Sequence, residues 1–372
     1  MLRLSAALLE VQLMRVFKVR YSGDYLSENG AFVRNDIGLD LLANEPFIET
    51  GFLTDQQPQA GDPSYWDRFY ALKITPEHVA QANGLVICRP WVKPSAFVRG
   101  ADNLVAIGRG GAGYDKIDLE ACTANDVVVF YSPDTFFHAT ASAALLFILA
   151  LAKRLPEHER MARTGRWAGQ PKISGDDLPG QTLGIVGLGR SGGELARLVS
   201  PFGMRILAYS PHADSARAQA LGVVLVSTLD ELFRESDFIS LHSRLEPSTR
   251  GMIGERELRL MKASAYFINV ARGELVQQEA LVRGLREGWI RGAALDVFDE
   301  EPLPASHPLT KLDNVILTPH WLPATLQGSR ATLATMAEGM RRVASGMIPD
   351  HILNPSVLDR PAFQAKLSRF AR

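Results

Sequence analysis

Three side chains near the ends of β-rich runs are of the types that move a proton and hold an anion. Arg272 follows the apolar run 265–269, Glu301 lies in an acidic run, and His320 follows the run 315–317. Histidine titrates near neutral pH, a neighbouring carboxylate orients its ring, and arginine binds a carboxylate through two parallel hydrogen bonds. Taken alone, Arg272 is also compatible with a surface salt bridge, Glu301 with a solvated charge and His320 with a structural histidine. Their order on successive strand ends predicts acid–base chemistry on a small carboxylate.

A glycine-rich loop precedes these residues. The segment Gly187-Leu-Gly-Arg-Ser-Gly192 follows a predicted strand, Thr182–Val186, and opens a predicted helix, Ser191–Ser200. In this context Gly187 permits a tight turn, Gly189 lets the backbone approach a pyrophosphate, and Gly192 lets the helix pack on the strand. A purely structural turn is the alternative. With the acid–base residues, the loop predicts hydride transfer between a nicotinamide and a carbon–oxygen bond.

Two further strand ends bear on the dinucleotide. Ser210 stands after the strand 205–209, where an acidic ribose ligand is expected, and a serine does not repel a 2′-phosphate. His212 and Arg217 are candidates to hold such a phosphate, so NAD and NADP are both open. Asp296 closes the strand 292–296 and is predicted to accept a hydrogen bond from the nicotinamide carboxamide, with a structural cap as the alternative.

The first part of the chain contributes two candidate substrate contacts. The loop Gly108-Arg-Gly-Gly-Ala-Gly113 follows the strand 104–107, and the consecutive amides of Gly110 and Gly111 predict an anion-binding nest. A flexible glycine turn is the alternative there. Arg89 follows the strand 85–87 and is predicted to reach the same substrate, although alone it is equally compatible with other roles.

Composition narrows the classes of protein. The 372 residues carry a formal net charge of −1, which gives no electrostatic reason for binding nucleic acid or an acidic membrane. The cysteines are Cys88 and Cys122, and their spacing matches neither a disulfide framework nor a metal site. We therefore expect a cytoplasmic protein with no metal. The first thirteen residues are interpreted as an upstream extension rather than a secretory signal.

Short β-rich runs alternate with amphipathic runs, which is typical of parallel sheets covered on both faces. We expect a discontinuous outer domain, 1–133 plus 322–372, split by a cofactor domain at 134–321. Ala139–Ala152 predicts a nearly all-apolar helix, and Pro323–Ser345 a long helix that returns to the outer domain. The stretch Gln56–Tyr70 is predicted to be a long loop.

The chain resembles the D-isomer-specific 2-hydroxyacid dehydrogenase family, which includes phosphoglycerate dehydrogenase and glyoxylate/hydroxypyruvate reductase. The resemblance covers most of the chain and implies an α/β fold of two doubly wound parallel-sheet domains. In it, a Rossmann cofactor domain is inserted in a flavodoxin-like substrate domain. The stretches that carry the resemblance are 108–118, 184–190, 261–273, 294–302 and 318–320.

The resemblance implies that Arg272 orients the substrate, His320 is the general acid/base and Glu301 pairs with His320 and tunes it. It also implies a homodimer formed through residues 139–175. The expected substrate contacts are Arg89, Gly110, Gly111 and Arg272. The expected contacts to NAD or NADP are Gly187, Gly189, Arg190, Ser191, Gly192, Ser210, His212, Ser243, Val270, Ala271, Arg272, Asp296 and His320.

The sequence departs from the family pattern at four places. Ser210 replaces the usual aspartate, and Ser191 replaces a common apolar residue beside the pyrophosphate. Ser142 and Ala143 stand where many members carry Glu-His, and Arg244 stands where proline is frequent. The alternative function is a cofactor-gated, corepressor-like binding module of the same fold, which the intact trio disfavours. Oxidation of formate is disfavoured because formate dehydrogenases of this fold carry glutamine at the position of Glu301.

Overall fold

Parallel strands joined by helices make up two separate units in the computed structural model, which describes residues 15–27, 40–59 and 61–372. The first unit consists of the described residues up to Thr135 together with Thr325–Arg372, and the second is Phe136–Ala324. The boundaries expected from the sequence lie close to these divisions. The interpretation of the first thirteen residues as an extension lies outside the described residues.

The first unit contains a five-stranded parallel sheet with the strand order β2-β1-β3-β4-β5. This is the flavodoxin-like order, so the prediction for this unit is confirmed. The strands are β1 Phe17–Tyr21, β2 Ile48–Phe52, β3 Gly84–Ile87, β4 Ala106–Arg109 and β5 Val128–Tyr131. The helices are α1 Tyr65–Tyr70, α2 Pro76–Ala80, α3 Leu119–Ala124, α11 Leu326–Ala344 and α12 Pro361–Ser368.

The second unit contains a seven-stranded parallel sheet with the order β12-β11-β10-β9-β6-β7-β8, which is the predicted Rossmann arrangement with one added strand. The strands are β6 Thr182–Val186, β7 Arg205–Tyr209, β8 Val223–Leu225, β9 Phe238–Leu241, β10 Tyr266–Asn269, β11 Gly292–Leu295 and β12 Val315–Leu317. The helices are α4 Phe137–Ala152, α5 Leu155–Arg163, α6 Arg190–Val199, α7 Ser215–Ala220, α8 Leu229–Glu235, α9 Glu255–Leu260 and α10 Gln278–Glu287.

Short 3-10 helices connect many of these elements. Those of the first unit are Gly23–Tyr25, Asp40–Leu42, Thr54–Gln56, Pro94–Phe97 and Pro355–Asp359. Those of the second unit are Trp167–Lys172, Ser200–Phe202, Gly273–Leu275 and Pro308–Lys311.

The helix α4 is apolar on most of its surface, and it is accordingly largely buried within the second unit. Its side chains join the core formed by β6, β7 and α6, including the fully buried Ala144 and Ile148. Within the described ranges, no single helix is long and apolar enough to cross a membrane. Only α4 and α5 taken together reach that length and apolarity, and they meet at a bend of 64°.

Two elements differ from the sequence-based expectation. Tyr65–Tyr70, predicted as part of a long loop, is the helix α1, because Phe69 is buried and packs against the rings of Tyr65 and Trp66. The edge strand β2 was not predicted, since its side chains are exposed or only half-buried and lack an apolar alternation.

The carboxyl-terminal helix α12 is attached to the first unit through a buried lysine. Lys366 is 6% exposed, and its Nζ donates hydrogen bonds to the carbonyl oxygens of Leu104 (3.3 Å), Asn125 (2.7 Å) and Asp126 (3.2 Å). Burial lowers the pKa of this amine to about 8. The lysine therefore satisfies three carbonyl groups at the ends of β-rich and helical segments.

Replacing Lys366 with methionine is expected to lower the free energy of unfolding by about 2–4 kcal/mol, because three carbonyls lose their donor. Urea unfolding followed by circular dichroism measures the effect. The matched control is Lys18→Met, which changes an exposed lysine on β1. Equal midpoints for the two variants would contradict a stabilising role for Lys366.

Candidate active site

The predicted site residues of the second unit lie at one edge of its sheet. Gly187, Ser210, Val270 and Asp296 directly follow β6, β7, β10 and β11, respectively. Ser243 is the second residue after the end of β9. All these strands run parallel, so their carboxyl ends share an edge. This is the edge at which open α/β sheets bind ligands.

The glycine loop is shaped by close packing at two of its three glycines. Gly187 has a φ of +97°, and a Cβ there would lie 2.8 Å from the amide nitrogen of Ser243. A Cβ on Gly192 would lie 2.1 Å from the carbonyl oxygen of Gly187. A Cβ on Gly189, in contrast, would meet no atom within 4 Å. The loop is thus tight where it packs on its own unit and open on the side where a pyrophosphate would approach.

Helix α6 begins at Arg190, and no side chain caps its amino terminus. Its first amides therefore offer donors and a partial positive charge to an anion. Among the predicted cofactor contacts, Gly189, Arg190 and His212 are exposed, and Ser191, Ser210, Ser243 and Ala271 are half-buried. These residues fit the phosphate and ribose part of a dinucleotide.

Asp296 supplies an acceptor at the same edge. It is 1% exposed, and its Oδ1 accepts hydrogen bonds from the Thr318 hydroxyl (2.6 Å) and from the amides of Trp321 (3.1 Å) and Leu322 (3.2 Å). Its Oδ2 is buried without a hydrogen-bond partner in the described ranges. Burial raises the pKa of Asp296, and the Thr318 hydroxyl opposes that rise. An orphaned acceptor of this kind fits an amide donor such as the nicotinamide carboxamide.

The ribose end of the site has no acidic residue directly after β7. Ser210 is followed by Pro211 and His212, and the first acid, Asp214, is engaged as the N-cap of α7 through the amide of Ala216 (2.9 Å). Arg217 reaches back to the glycine loop, where its Nη2 donates to the carbonyl oxygen of Gly189 at 3.2 Å. A cation therefore lies beside the glycine loop.

His320 and Glu301 form the predicted pair. The Nδ1 of His320 lies 2.7 and 2.9 Å from the two carboxylate oxygens of Glu301, and the Phe298 amide donates to Glu301 Oε1 at 3.2 Å. Within the described ranges no residue hydrogen-bonds to Nε2 of His320. Because an ionised carboxylate only accepts, Nδ1 carries a proton and Nε2 is the atom that can exchange one.

Arg272 lies on a loop that is held by the buried side chain of Asn269. Asn269, 1% exposed, accepts from the Ala271 amide (3.0 Å) and donates from Nδ2 to the Arg272 carbonyl oxygen (2.8 Å). The next residue, Gly273, packs against the following loop: a Cβ there would lie 1.8 Å from the Phe298 carbonyl carbon. The Arg272 loop and the loop that leads to Glu301 are therefore in direct backbone contact.

Asn269 and Gly273 were not predicted as site residues. Asn269 stands out in the sequence as a polar residue that ends an apolar strand, so its position was a usable signal. The role of Gly273 depends on a contact with residues 298–299, and no local pattern reports such a contact.

In the first unit, Arg89 and the 110–111 loop also follow strand ends. The guanidinium carbon of Arg89 lies 4.8 Å from the ring centroid of Phe69 and 4.5 Å from that of Tyr70. The amide of Gly110 donates to the Ile87 carbonyl oxygen (2.8 Å) and that of Gly111 to the Ser132 hydroxyl (2.7 Å). The predicted nest is therefore wrong for these two amides, because the sheet and Ser132 already bind them.

The same strand edge holds charged residues that the sequence analysis missed. Asp24, which follows β1, accepts from the Ser22 hydroxyl and from the Arg89 amide (2.9 Å). Burial raises the pKa of Asp24, and hydrogen bonding from Ser22 with the nearby Arg89 and Arg109 opposes that rise. Arg109 has a buried Nε with no partner in the described ranges. Asp24 follows β1 and Arg109 ends β4, so their positions at strand ends could have marked them as candidate site residues.

Comparison with known proteins agrees with this geometry. The model of the D-isomer-specific 2-hydroxyacid dehydrogenase NAD-binding domain matches residues 145–321. A glyoxylate reductase from Korarchaeum cryptofilum is 39% identical over 298 residues, which cover 78% of this chain and 89% of that protein. The chain belongs to the D-isomer-specific 2-hydroxyacid dehydrogenase family. It is thus an oxidoreductase of a family that uses NAD or NADP.

Two further relatives extend the comparison. The D-3-phosphoglycerate dehydrogenase of Methanocaldococcus jannaschii is 38% identical over 278 residues, 75% of this 2-hydroxyacid dehydrogenase chain. That match covers 53% of the relative, so the chain spans about half its length. The crystal structure of the TT0316 protein from Thermus thermophilus has a TM-score of 0.75 and 31% identity, and the match covers 91% of this chain and 100% of that one.

Proposed function

We propose that this dehydrogenase interconverts small 2-keto acids and D-2-hydroxy acids with NADH or NADPH. The observation that carries the proposal is the His320–Glu301 pair at the strand edge that also holds the glycine loop. The bound dinucleotide would supply or accept the hydride. The side chains of the protein would hold the substrate and move the proton.

The acid–base step is assigned to His320. Glu301 holds Nδ1, so Nε2 donates a proton to the carbonyl oxygen during reduction and removes it from the hydroxyl during oxidation. The Phe298 amide fixes the carboxylate of Glu301 and thereby the ring. A positioned proton donor of this kind contributes roughly 100- to 10,000-fold to the rate.

Binding of the substrate carboxylate is assigned to Arg272. A guanidinium donates two parallel hydrogen bonds to a carboxylate, which fixes the orientation of the adjacent carbonyl group. Asn269 accepts a hydrogen bond from the Ala271 amide and donates one to the Arg272 carbonyl oxygen, so one buried side chain holds the loop that carries Arg272. Arg89, Gly110 and Gly111 stay predicted substrate contacts of the first unit, but not through the two glycine amides, which Ile87 and Ser132 already bind.

The proposed substrates include glyoxylate and hydroxypyruvate, because several relatives are named glyoxylate reductases. The test follows the absorbance of NADH and NADPH in parallel with glyoxylate, hydroxypyruvate, pyruvate and a bulky aryl 2-keto acid. Turnover with any of them supports the proposal. Cofactor binding without turnover across the panel would contradict it, and cofactor-dependent partner binding would then favour the corepressor-like module.

Cofactor preference is expected to depend on Ser210. Replacing it with aspartate places a negative charge at the ribose and repels the 2′-phosphate of NADPH. We expect kcat/KM for NADPH to fall at least about 10-fold, which corresponds to a repulsion of about 1.4 kcal/mol between the aspartate and the 2′-phosphate. The value for NADH should stay within about 3-fold. The control is Ser227→Asp, at an exposed serine of the same unit. An unchanged NADPH/NADH ratio would show that Ser210 does not face the ribose.

A homodimer is also proposed. The segment expected to form the interface carries large exposed apolar side chains: Leu146 is 49%, Leu155 53% and Trp167 61% exposed. We expect Leu146→Glu to convert a dimer into a monomer, because a charge would be buried in the interface. Light scattering after size-exclusion chromatography measures this. Val224, 51% exposed in the same unit, provides the control Val224→Glu, and dissociation by that variant alone would contradict the assignment.

A cytoplasmic location stays a prediction. It rests on the use of cysteine, since Cys88 and Cys122 are both free thiols in the structure.

A further inference from the structure

A chain of three polar side chains runs from the second sheet to the amino terminus of α6. The hydroxyl of Ser240 lies 3.0 Å from Nε2 of His242, and Nδ1 of the same ring lies 3.1 Å from the hydroxyl of Ser191. Ser240 lies on β9, His242 directly follows that strand, and Ser191 is the second residue of α6. The chain of hydrogen bonds therefore ends at the glycine loop.

The direction of these hydrogen bonds follows from burial. Ser240 is 0% exposed, and within the described ranges its hydroxyl has His242 as its hydrogen-bond partner. If Nε2 carried a proton, the buried hydroxyl hydrogen of Ser240 would lack an acceptor, at a cost of about 1–3 kcal/mol. The Ser240 hydroxyl therefore donates, and Nε2 of His242 accepts.

The protonation of the ring follows next. Burial lowers the pKa of His242 to about 4, so the imidazole is neutral at ordinary pH and carries one N–H group. Because Nε2 accepts, that proton is on Nδ1, and Nδ1 donates to the oxygen of Ser191. Ser191 thus receives a hydrogen bond from the ring and directs its own hydrogen elsewhere.

The surroundings of Ser191 indicate what its hydrogen meets. The residue is half-buried at the positive end of α6, and the neighbouring Gly189 faces open space. A donor in this position complements an anion and would repel a cation.

We propose that Ser240 and His242 are positioning residues that fix the Ser191 hydroxyl as a hydrogen-bond donor to the pyrophosphate of the bound dinucleotide. The inference rests on the proposed role of the glycine loop as the pyrophosphate site. It adds a directional relay: Ser240 sets the tautomer of His242, and the tautomer sets the direction of the Ser191 hydroxyl.

The first test measures Kd for NADH and NADPH by fluorescence titration. We expect Ser191→Ala to raise both constants about 10-fold, equivalent to 1.4 kcal/mol for a hydrogen bond to a charged group. Ser191→Thr keeps the hydroxyl and is expected to restore binding to within about 3-fold. Ser200→Ala, at the exposed serine directly after the same helix, is the control. Unchanged Kd values for Ser191→Ala would overturn the proposal.

The second test separates positioning from general structural support. Ser240→Ala frees the His242 tautomer and is expected to raise Kd about 3-fold in the wild-type background, but to change nothing in the Ser191→Ala background. Equal effects in both backgrounds would show that Ser240 acts only on stability.

The third test needs no cofactor. Nitrogen-15 NMR of the histidines in the wild-type protein reports which ring nitrogen of His242 carries the proton. A proton on Nδ1 is expected, and a proton on Nε2 would overturn the relay. These outcomes are independent of turnover: a failed substrate panel with a weakened Ser191→Ala variant would remove the proposed reaction and leave the relay.

Discussion

Replacing His320 with glutamine is expected to lower kcat/KM for the 2-keto acid by roughly 100- to 10,000-fold while the dinucleotide still binds. Glutamine preserves a polar side chain of similar size, but it cannot exchange a proton near neutral pH. The loss should appear mainly in kcat, because the step that it slows is the proton transfer. Steady-state kinetics and a cofactor titration on the same preparation measure both quantities.

The matched control is His158→Gln, which changes an exposed histidine on α5. Glu301→Gln tests the residue that pairs with His320. The amide no longer provides a charged acceptor to Nδ1, so we expect both a lower kcat and a shifted pH profile of kcat. If the His320 variant kept more than about a tenth of the activity, the proton would have to come from another group.

Replacing Gly273 with alanine is expected to reduce turnover about 100-fold or more, although no atom of the variant side chain touches a substrate. The added Cβ would lie 1.8 Å from the Phe298 carbonyl carbon and 2.0 Å from its oxygen, so one of the two loops must move. Those loops carry Arg272 and lead to Glu301. A displacement of about 1 Å in either is enough to misalign the acid–base pair.

The same substitution is expected to lower the free energy of unfolding by about 1–3 kcal/mol, as overpacking generally does. Thermal unfolding separates that effect from the catalytic one, because assays run well below the transition keep the variant folded. Gly169→Ala is the control, since its Cβ would meet the flexible end of Met161 at 3.3 Å. Normal turnover in the Gly273 variant would show that the contact does not position the site.

The Rossmann part of the fold could be predicted almost residue by residue. Most of its strands are buried, and they are short and bounded by glycine or polar residues, as β6 shows. Its helices have amphipathic patterns and caps such as Thr228 on α8. The first unit was harder. Its edge strand β2 is poorly buried, and α1 is a six-residue helix among prolines and glycines, so neither has a period that local sequence can report.

The candidate site was predictable where a residue type and a strand end coincide. Arg272, Asp296 and His320 were predicted in this way, and they stay predicted site residues. The clamp by Asn269, the contact of Gly273 and the pairing of Asp24 with the Arg89 amide were missed, because each depends on which loops meet in space. The nest at Gly110 and Gly111 was predicted wrongly for the same reason: the acceptors of its amides lie on β3 and just beyond β5.

The division of the first unit into two sequence segments has a consequence for the order of folding. Its core joins Phe17 and Val86 to Met336 and Met340 of α11, so part of that core is translated only after the whole second unit. The second unit is one continuous segment whose core partners all precede residue 325. During synthesis the second unit can therefore complete its core before the helices α11 and α12 of the first unit have been translated.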